Sequence, residues 1–449
     1  MESASARTAL TQARKIAVIG AGWAGLAAAI TAVQRGHAVT LLEASRQWGG
    51  RARSLPPSLP NRPALDNGQH ILIGAYQHTL NMMRTVGVNP EQALRRMPLN
   101  LKDVHGRGLS LPQAPFPFNL LWGIARAKGW QAVDKWSLLQ TAWRWQRMQF
   151  ECDETFTVRE VCHDLSPQIW QDLIEPLCVS ALNTPAHQAS GSVFLRVLKD
   201  AVFGPPGSAD LLLPRQELGE VFPHAAIQWL EAHGARCLLG TRVETLTLNE
   251  PGSARWQILN EPFDQLVLAT PAWDAATLVA PLNPTWAHMA NAMSHEAIAT
   301  VYVQATTDVT LPQPMLSLSS STEAPAQFVF DRGQMMAKHN TPGLLAFVVS
   351  AAQDSKQGLT AKVLQQAKDL LRILNASAQS IDGLQVLQTV IEKRATFACT
   401  PQLHRPSPHP FEGIAVCGDY VSGPYPATLE GAVMSGIEAG QQAHSSQLA

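Results

Sequence analysis

Residues 15–43 read KIAVIGAGWAGLAAAITAVQRGHAVTLLE, and this stretch limits the possible fold more than any other part of the chain. Ile16, Ala17, Val18 and Ile19 form a short apolar run, the pattern of a strand buried on both faces of a parallel sheet. Gly20, Gly22 and Gly25 follow at G-x-G-x-x-G spacing. The first glycine permits a tight turn, the second lets backbone approach a ligand, and the third lets a helix pack close to the strand. A helix is expected from Trp23 and Ala24 to about Arg35, with Gly36 as its stop. Val39, Thr40, Leu41 and Leu42 supply a second strand, and Glu43 stands 18 positions after Gly25. A helix N-terminus presents amides and a positive dipole end to phosphate, and an acid at this distance suits a ribose diol. An ordinary strand-helix turn would explain the small residues but not Glu43. The unit reads as a dinucleotide-binding crossover.

The residues after Glu43 narrow the dinucleotide. Gly49-Gly50-Arg51-Ala52-Arg53 again combines close backbone approach with cations suited to phosphate. A nicotinamide dehydrogenase has no need of this second loop, so FAD is the expected cofactor. The competing reading of Arg51 and Arg53 is a solvated basic turn. No second G-x-G-x-x-G occurs, so no dedicated NADPH domain is visible, and the external electron donor is left unspecified.

A chain of 449 residues exceeds one ordinary core. The formal net charge of −1 argues against nucleic acid as a partner. The six cysteines show neither C-x-x-C nor metal-ligand spacing, so reduced thiols, a cytoplasmic setting and no metal are expected. Residues 1–14 are polar and read as a loose tail rather than a signal peptide. No run of 18 apolar residues exists to span a membrane.

Along the chain, periodicity predicts helices over 122–150, 167–182, 192–202, 216–233, 361–374 and 427–442. Strands are predicted over 235–239, 241–246, 256–259, 264–271, 297–304, 344–351 and 413–417. Their order implies an α/β fold with a discontinuous Rossmann-type FAD-binding domain, made from 15–75, 206–274 and 401–449. An inserted α+β substrate domain would come from 76–205 and 275–400. The segment 101–150 carries seven Lys/Arg against two acids, and 122–150 holds five of the twelve tryptophans. Such a segment suits the headgroup region of an anionic membrane. Equally, the tryptophans could build the core or line a tunnel.

Four motifs carry a family resemblance: GAGWAGL at 20–26, GGRARS at 49–54, LATP at 268–271, and CGDY with PATLEGAVMSG across 417–436. The chain resembles the flavin-containing amine oxidase and phytoene desaturase superfamily over essentially its whole length. Asp66-Asn67-Gly68-Gln69-His70, Arg394-Ala395-Thr396-Phe397 and 426–432 are most similar to hydroxysqualene dehydroxylases. The resemblance implies that Glu43 binds the adenosine ribose, that Gly20, Gly22 and Gly25 meet the pyrophosphate, and that Gly49, Gly50 and Arg51 continue this contact. Val243, on a middle strand, would meet adenine through its backbone. Gly418 and Asp419 would bind the ribityl chain or a phosphate. A helix opening near Ala427, Thr428 and Leu429 would aim its amides at the flavin pyrimidine. Cys399 lies in no covalent-flavin motif, so a dissociable FAD is expected.

The implied reaction replaces the hydroxyl of hydroxysqualene with hydride, giving squalene. It requires an acid for the leaving hydroxyl and a dry apolar pocket around a carbocation. His70 titrates near neutrality and is the first candidate for the acid. Asp66 is the second, with turn-capping at Asn67-Gly68 as its structural alternative. Glu430 reads as a helix-start acid satisfying backbone amides. The substrate would be an isoprenoid lipid, reached from the inner face of the cytoplasmic membrane. The competing functions are a carotenoid-type desaturase or isomerase, an amine oxidase, and a non-catalytic flavin-bound scaffold.

Overall fold

The computed structural model describes residues 13–56, 63–249, 255–336 and 341–442. The tail expected at 1–14 falls outside these apart from its last two residues. At the centre is a parallel sheet of five strands, in the spatial order Ile414–Val416, Gln265–Leu268, Lys15–Ile19, Ala38–Leu42 and Arg236–Leu238. Its middle strand is the first apolar run of the chain, with Ile16, Ala17 and Val18 fully buried. The helix Trp23–Gln34 packs on this sheet beside the helix Leu429–Gln442. The latter is rich in small residues because the two backbones nearly touch. A Cβ at Gly436 would lie 2.1 Å from the Ala24 carbonyl oxygen, and one at Gly440 would lie 2.6 Å from that of Ala28.

A second sheet is antiparallel, in the order Met315–Ser317, Phe328–Asp331, Leu344–Ser350, His295–Gln304 and Gln385–Phe397. Alternation sorts its residues cleanly. Ala299, Val301, Val329, Phe347 and Val349 pack under the helix Lys356–Ile373. Ile298, Met315, Phe328, Phe330 and Val348 face the cavity described below. The longest strand, Gln385–Phe397, escapes periodicity analysis. Register shifts against His295–Gln304, at Glu296/Ile298 and Tyr302/Val303, interrupt the period of two that marks a strand.

Three other expectations change. The helix expected over 122–150 is two helices, Phe118–Arg126 and Ala132–Arg147, separated where Gly129 turns left-handed at φ +86°. The helix expected over 216–233 is Leu218–Val221 followed by Pro223–Ala232, because Pro223 starts a new first turn. The stretch 241–246 is not a strand. After Thr241 N–H bonds the Glu43 carbonyl, the chain leaves the sheet edge and lines the cavity.

The expected domain edge at 75/76 runs through packed structure. Leu80, Met83, Val86 and Leu94 share a core with the nucleotide helix. The buried Glu430 carboxylate accepts from the amides of His78 and Thr79, both at 2.9 Å, at the start of the helix Gln77–Thr85. It therefore satisfies amides of a different helix from its own.

Candidate functional site

A cavity of about 860 Å³ lies between the parallel sheet's loops and the antiparallel sheet. One end is a cradle lined by Gly20, Gly22, Trp23, Ala24, Glu43, Gly49, Gly50, Arg51, Val243, Gly418, Asp419, Ala427, Thr428 and Leu429. Gly25 does not line it and acts in packing. Its Cβ would lie 1.9 Å from the Gly20 carbonyl oxygen, so only glycine lets the helix start so close to the strand.

The cradle has the features of an anion site. Gly22 caps the nucleotide helix without a side chain, and no acid occupies the first turn, so the first amides are left for a ligand. Gly22 and Gly49 form an isolated bridge, and a Cβ on Gly50 would come within 3.0 Å of the Gly22 Cα. Glu43 is held by the Ala21 and Ser45 amides at 2.7 and 2.8 Å. Trp23 Nε1 donates to the Ala52 carbonyl at 2.9 Å, tying the two glycine loops together.

From the far side, Arg51 pairs with Asp419 at 2.5 Å and donates to the Ala395 carbonyl at 2.6 Å. Ala427 adopts φ +57° and donates its amide to the Asp419 carbonyl at 3.2 Å. Thr428 Oγ1 then accepts the Gly431 amide at 2.9 Å and starts the last helix. The hydroxyls of Thr270 and Tyr420 are buried on the cavity wall without partners among the described residues. Both oxygens are closed off even from the open cavity, so neither is offered to a bound molecule. Neither residue was singled out from sequence. The small-residue turn after the buried strand at 264–271 was the available signal for Thr270.

None of the cysteines lines the cavity. Cys399 and Cys417 are buried, and burial pushes both thiols up to about 12. Among the described residues no group of three His, Cys, Asp or Glu could hold a metal ion.

Beyond the cradle the wall becomes apolar, with Ile71, Leu99, Leu101, Leu177, Val197 and Leu211. The polar loop 66–70 lies between the two regions. Asn67, Gly68, Gln69 and His70 line the cavity, and Asp66 does not. The Asp66 carboxylate is buried behind the wall. It accepts the Leu218 amide at 2.9 Å and pairs with the equally buried Arg332 at 3.1 Å. Arg332 also donates to Gln69 Oε1 at 3.1 Å and to the Ala64 carbonyl at 3.3 Å. Tyr302 Oη donates to the Asp66 carbonyl at 3.0 Å. Burial raises the Asp66 carboxyl above its usual range, against the pull of Arg332 and the Leu218 amide. Asp66 thus anchors the loop and is out of reach of a molecule in the cavity, which corrects its expected place as an acid.

His70 does reach the cavity. Its Nδ1 donates to the Gly68 carbonyl at 3.0 Å, which fixes the tautomer and leaves Nε2 without a hydrogen bond among the described residues. Enclosure by the cavity wall lowers its pKa below 6.5, outweighing the pull of the Gly68 carbonyl and Asp66. At neutral pH it is therefore a neutral acceptor, and its acid form is reached only below the expected range.

A two-loop glycine cradle, a buttressed acid in its lining and a helix that opens onto it near the C-terminus fit an FAD-dependent oxidoreductase. The family model described as flavin containing amine oxidoreductase matches residues 23–444, and the chain belongs to that family. It is similar to the hydroxysqualene dehydroxylase of Zymomonas mobilis, at 23% identity over 95% of this chain and 98% of the relative. It is also similar to that of Rhodopseudomonas palustris, at 26% identity over 95% and 97%. The 15-cis-phytoene desaturase of an Oncidium hybrid is 24% identical over 97% of this chain and 78% of its own length. Among solved structures, an oxidoreductase from Methanosarcina mazei superposes with a TM-score of 0.70, at 16% identity, over 95% of this chain and 100% of that one. Putrescine oxidase bound to putrescine gives 0.67, at 17% identity, over 96% and 99%. These structures share the fold.

Proposed function

We propose that this chain carries out the FAD-dependent reductive dehydroxylation of hydroxysqualene to squalene. The observation that carries the reading is a cavity that joins the dinucleotide cradle to a wall of apolar side chains, with the polar loop 67–70 among its lining. An apolar chain with one hydroxyl matches that layout. Near-full-length similarity to hydroxysqualene dehydroxylases supports it.

When bound, reduced FAD supplies the hydride. Gly20, Gly22, Gly50, Arg51 and the helix starts at Trp23 and Leu429 hold the cofactor, and Glu43 takes the ribose. His70 Nε2 orients the hydroxyl. In its protonated form His70 gives the proton that lets water leave. The apolar wall excludes water from the cation left on the substrate. Gln69 is in turn held by Arg332 and by Thr300 Oγ1, which accepts the Gln69 amide at 3.2 Å.

Anaerobically reduced holoenzyme incubated with hydroxysqualene should yield squalene by mass, with the hydroxyl replaced by one hydrogen. Polyene or amine oxidation by the oxidised enzyme, with no squalene formed by the reduced enzyme, would replace this reading.

A further inference from the structure

The tryptophans of the basic segment divide into two sets. Trp130 and Trp145 are buried, and Trp145 Nε1 bonds the Val161 carbonyl at 3.0 Å. Trp122, Trp136 and Trp143 are 52%, 61% and 59% exposed. On the helix Phe118–Arg126 the inward residues are Leu120, Gly123 and Ile124. Its outward residues are Phe118, Leu121, Trp122 and Ala125, at i, i+3, i+4 and i+7. This helix is apolar on both faces, and one of them has no protein to cover it. On the helix Ala132–Arg147 the outward residues are Val133, Trp136, Gln140, Trp143 and Arg147, again along one stripe. Lys135 Nζ donates to the Ala125 carbonyl at 2.8 Å, holding the start of the second helix against the end of the first.

Cations frame the aromatics. The Arg126 guanidinium lies 4.4 Å from the Trp122 ring centre, and that of Arg147 lies 4.7 Å from Trp143. Residues 118–148 hold Arg126, Lys128, Lys135, Arg144 and Arg147 against one acid, Asp134, in a chain whose net charge is −1, and of these cations Arg144 is paired with Asp164. Asp134 is buried and accepts the Gln131 amide at 2.7 Å, so it offers no charge outward. The face adjoins the cavity wall. The strand Gly108–Ser110 that carries the first helix pairs with Asn100–Lys102, whose Leu101 lines the cavity. Phe116 packs tilted against Phe203, ring centres 5.2 Å apart, just beyond the cavity-lining Val202.

We infer that this two-helix face seats in the interface of a bilayer containing anionic lipid, beside the apolar end of the cavity. Amphipathic aromatic rings suit the headgroup boundary, and the surrounding cations match its negative surface potential. The charge bias selects a bilayer over a second copy of the chain, whose identical basic face would repel it. No helix among the described residues is long and apolar enough to cross a membrane. The inference deepens the reading of a lipid substrate, and its test needs no turnover, so the two can fail separately.

The test uses FAD-loaded protein sedimented with vesicles of phosphatidylcholine, with and without phosphatidylglycerol. Wild type should pellet with the anionic vesicles and release as salt is raised. Arg126→Glu/Arg147→Glu should lower partitioning about 30-fold or more, from the two positive charges lost beside the surface. Trp122→Gln/Trp136→Gln/Trp143→Gln should lower it at least about tenfold with FAD binding unchanged. Wild type remaining in the supernatant, or the triple variant pelleting like wild type, overturns the inference. A dimer in sedimentation velocity that the triple variant dissociates would assign the face to a second copy and overturn it equally.

Discussion

Replacing Arg332 with methionine tests the anchor beneath the polar loop. The guanidinium is 1% exposed and its partner Asp66 3%. Methionine fills similar volume but leaves the Asp66 carboxylate with the Leu218 amide as its remaining partner in the network, and it strips a donor from Gln69 Oε1 and the Ala64 carbonyl. Breaking a buried pair by removing one member costs about 3–5 kcal/mol, chiefly the unpaired charge. Urea denaturation of the apoprotein should show a loss in that range. The loss should shrink as pH falls, since protonated Asp66 needs no cation. Arg332→Met/Asp66→Asn removes the charge while keeping an acceptor for Leu218, so most of the stability should return. Turnover should not return with it, because Gln69 and Ala64 still lack their donor and the loop carrying His70 loses its register. A single variant losing less than about 1 kcal/mol would refute the buried pair. A double variant regaining full turnover would refute its positioning of the loop.

His70→Gln should retain FAD, followed by flavin absorbance, while kcat falls about 100-fold or more if His70 delivers the proton. Because burial lowers the folded pKa of His70 below 6.5, its stability contribution is present above that value and is lost as pH falls. The wild-type advantage over His70→Gln in urea should therefore shrink between pH 7.5 and about 5.5. In the same interval kcat of the wild type should rise as the acid form is populated; a flat kcat profile would remove His70 as donor. Gly25→Ala places a Cβ within 1.9 Å of the Gly20 carbonyl and should abolish FAD retention on gel filtration. Glu43→Gln should weaken FAD binding in titration by roughly tenfold, from loss of one charged hydrogen-bond partner.

The first crossover was legible because every signal in it is local. A buried strand is continuously apolar, a turn needs glycine, and a helix start needs free amides, so 15–43 declares itself by composition and spacing alone. Motif resemblance extended this to Gly49, Gly50, Arg51, Asp419 and the start of the last helix, all of which line one cradle. The strand Gln385–Phe397 was not legible, since bulges against its neighbour erase its period. Val243 was placed on a strand by its β-branched run, but a strand exists only where another edge accepts it, and the sheet ends at Leu238.

The sequence by itself determined the dinucleotide crossover, the class of cofactor and the stretch of chain in which the polar loop lies. Only the tertiary structure decided which member of that loop faces the cavity. Asp66 and His70 are four positions apart and were the two candidate acids on paper. Folding turns one carboxylate back onto Leu218 and Arg332, residues 152 and 266 positions away, and leaves the imidazole facing the cavity. Likewise the five tryptophans of one basic segment share a composition, and the packing of two helices sends two inward and leaves three outside. Burial and pairing depend on contacts between distant parts of the chain, and no local pattern encodes which side of a wall a side chain will take.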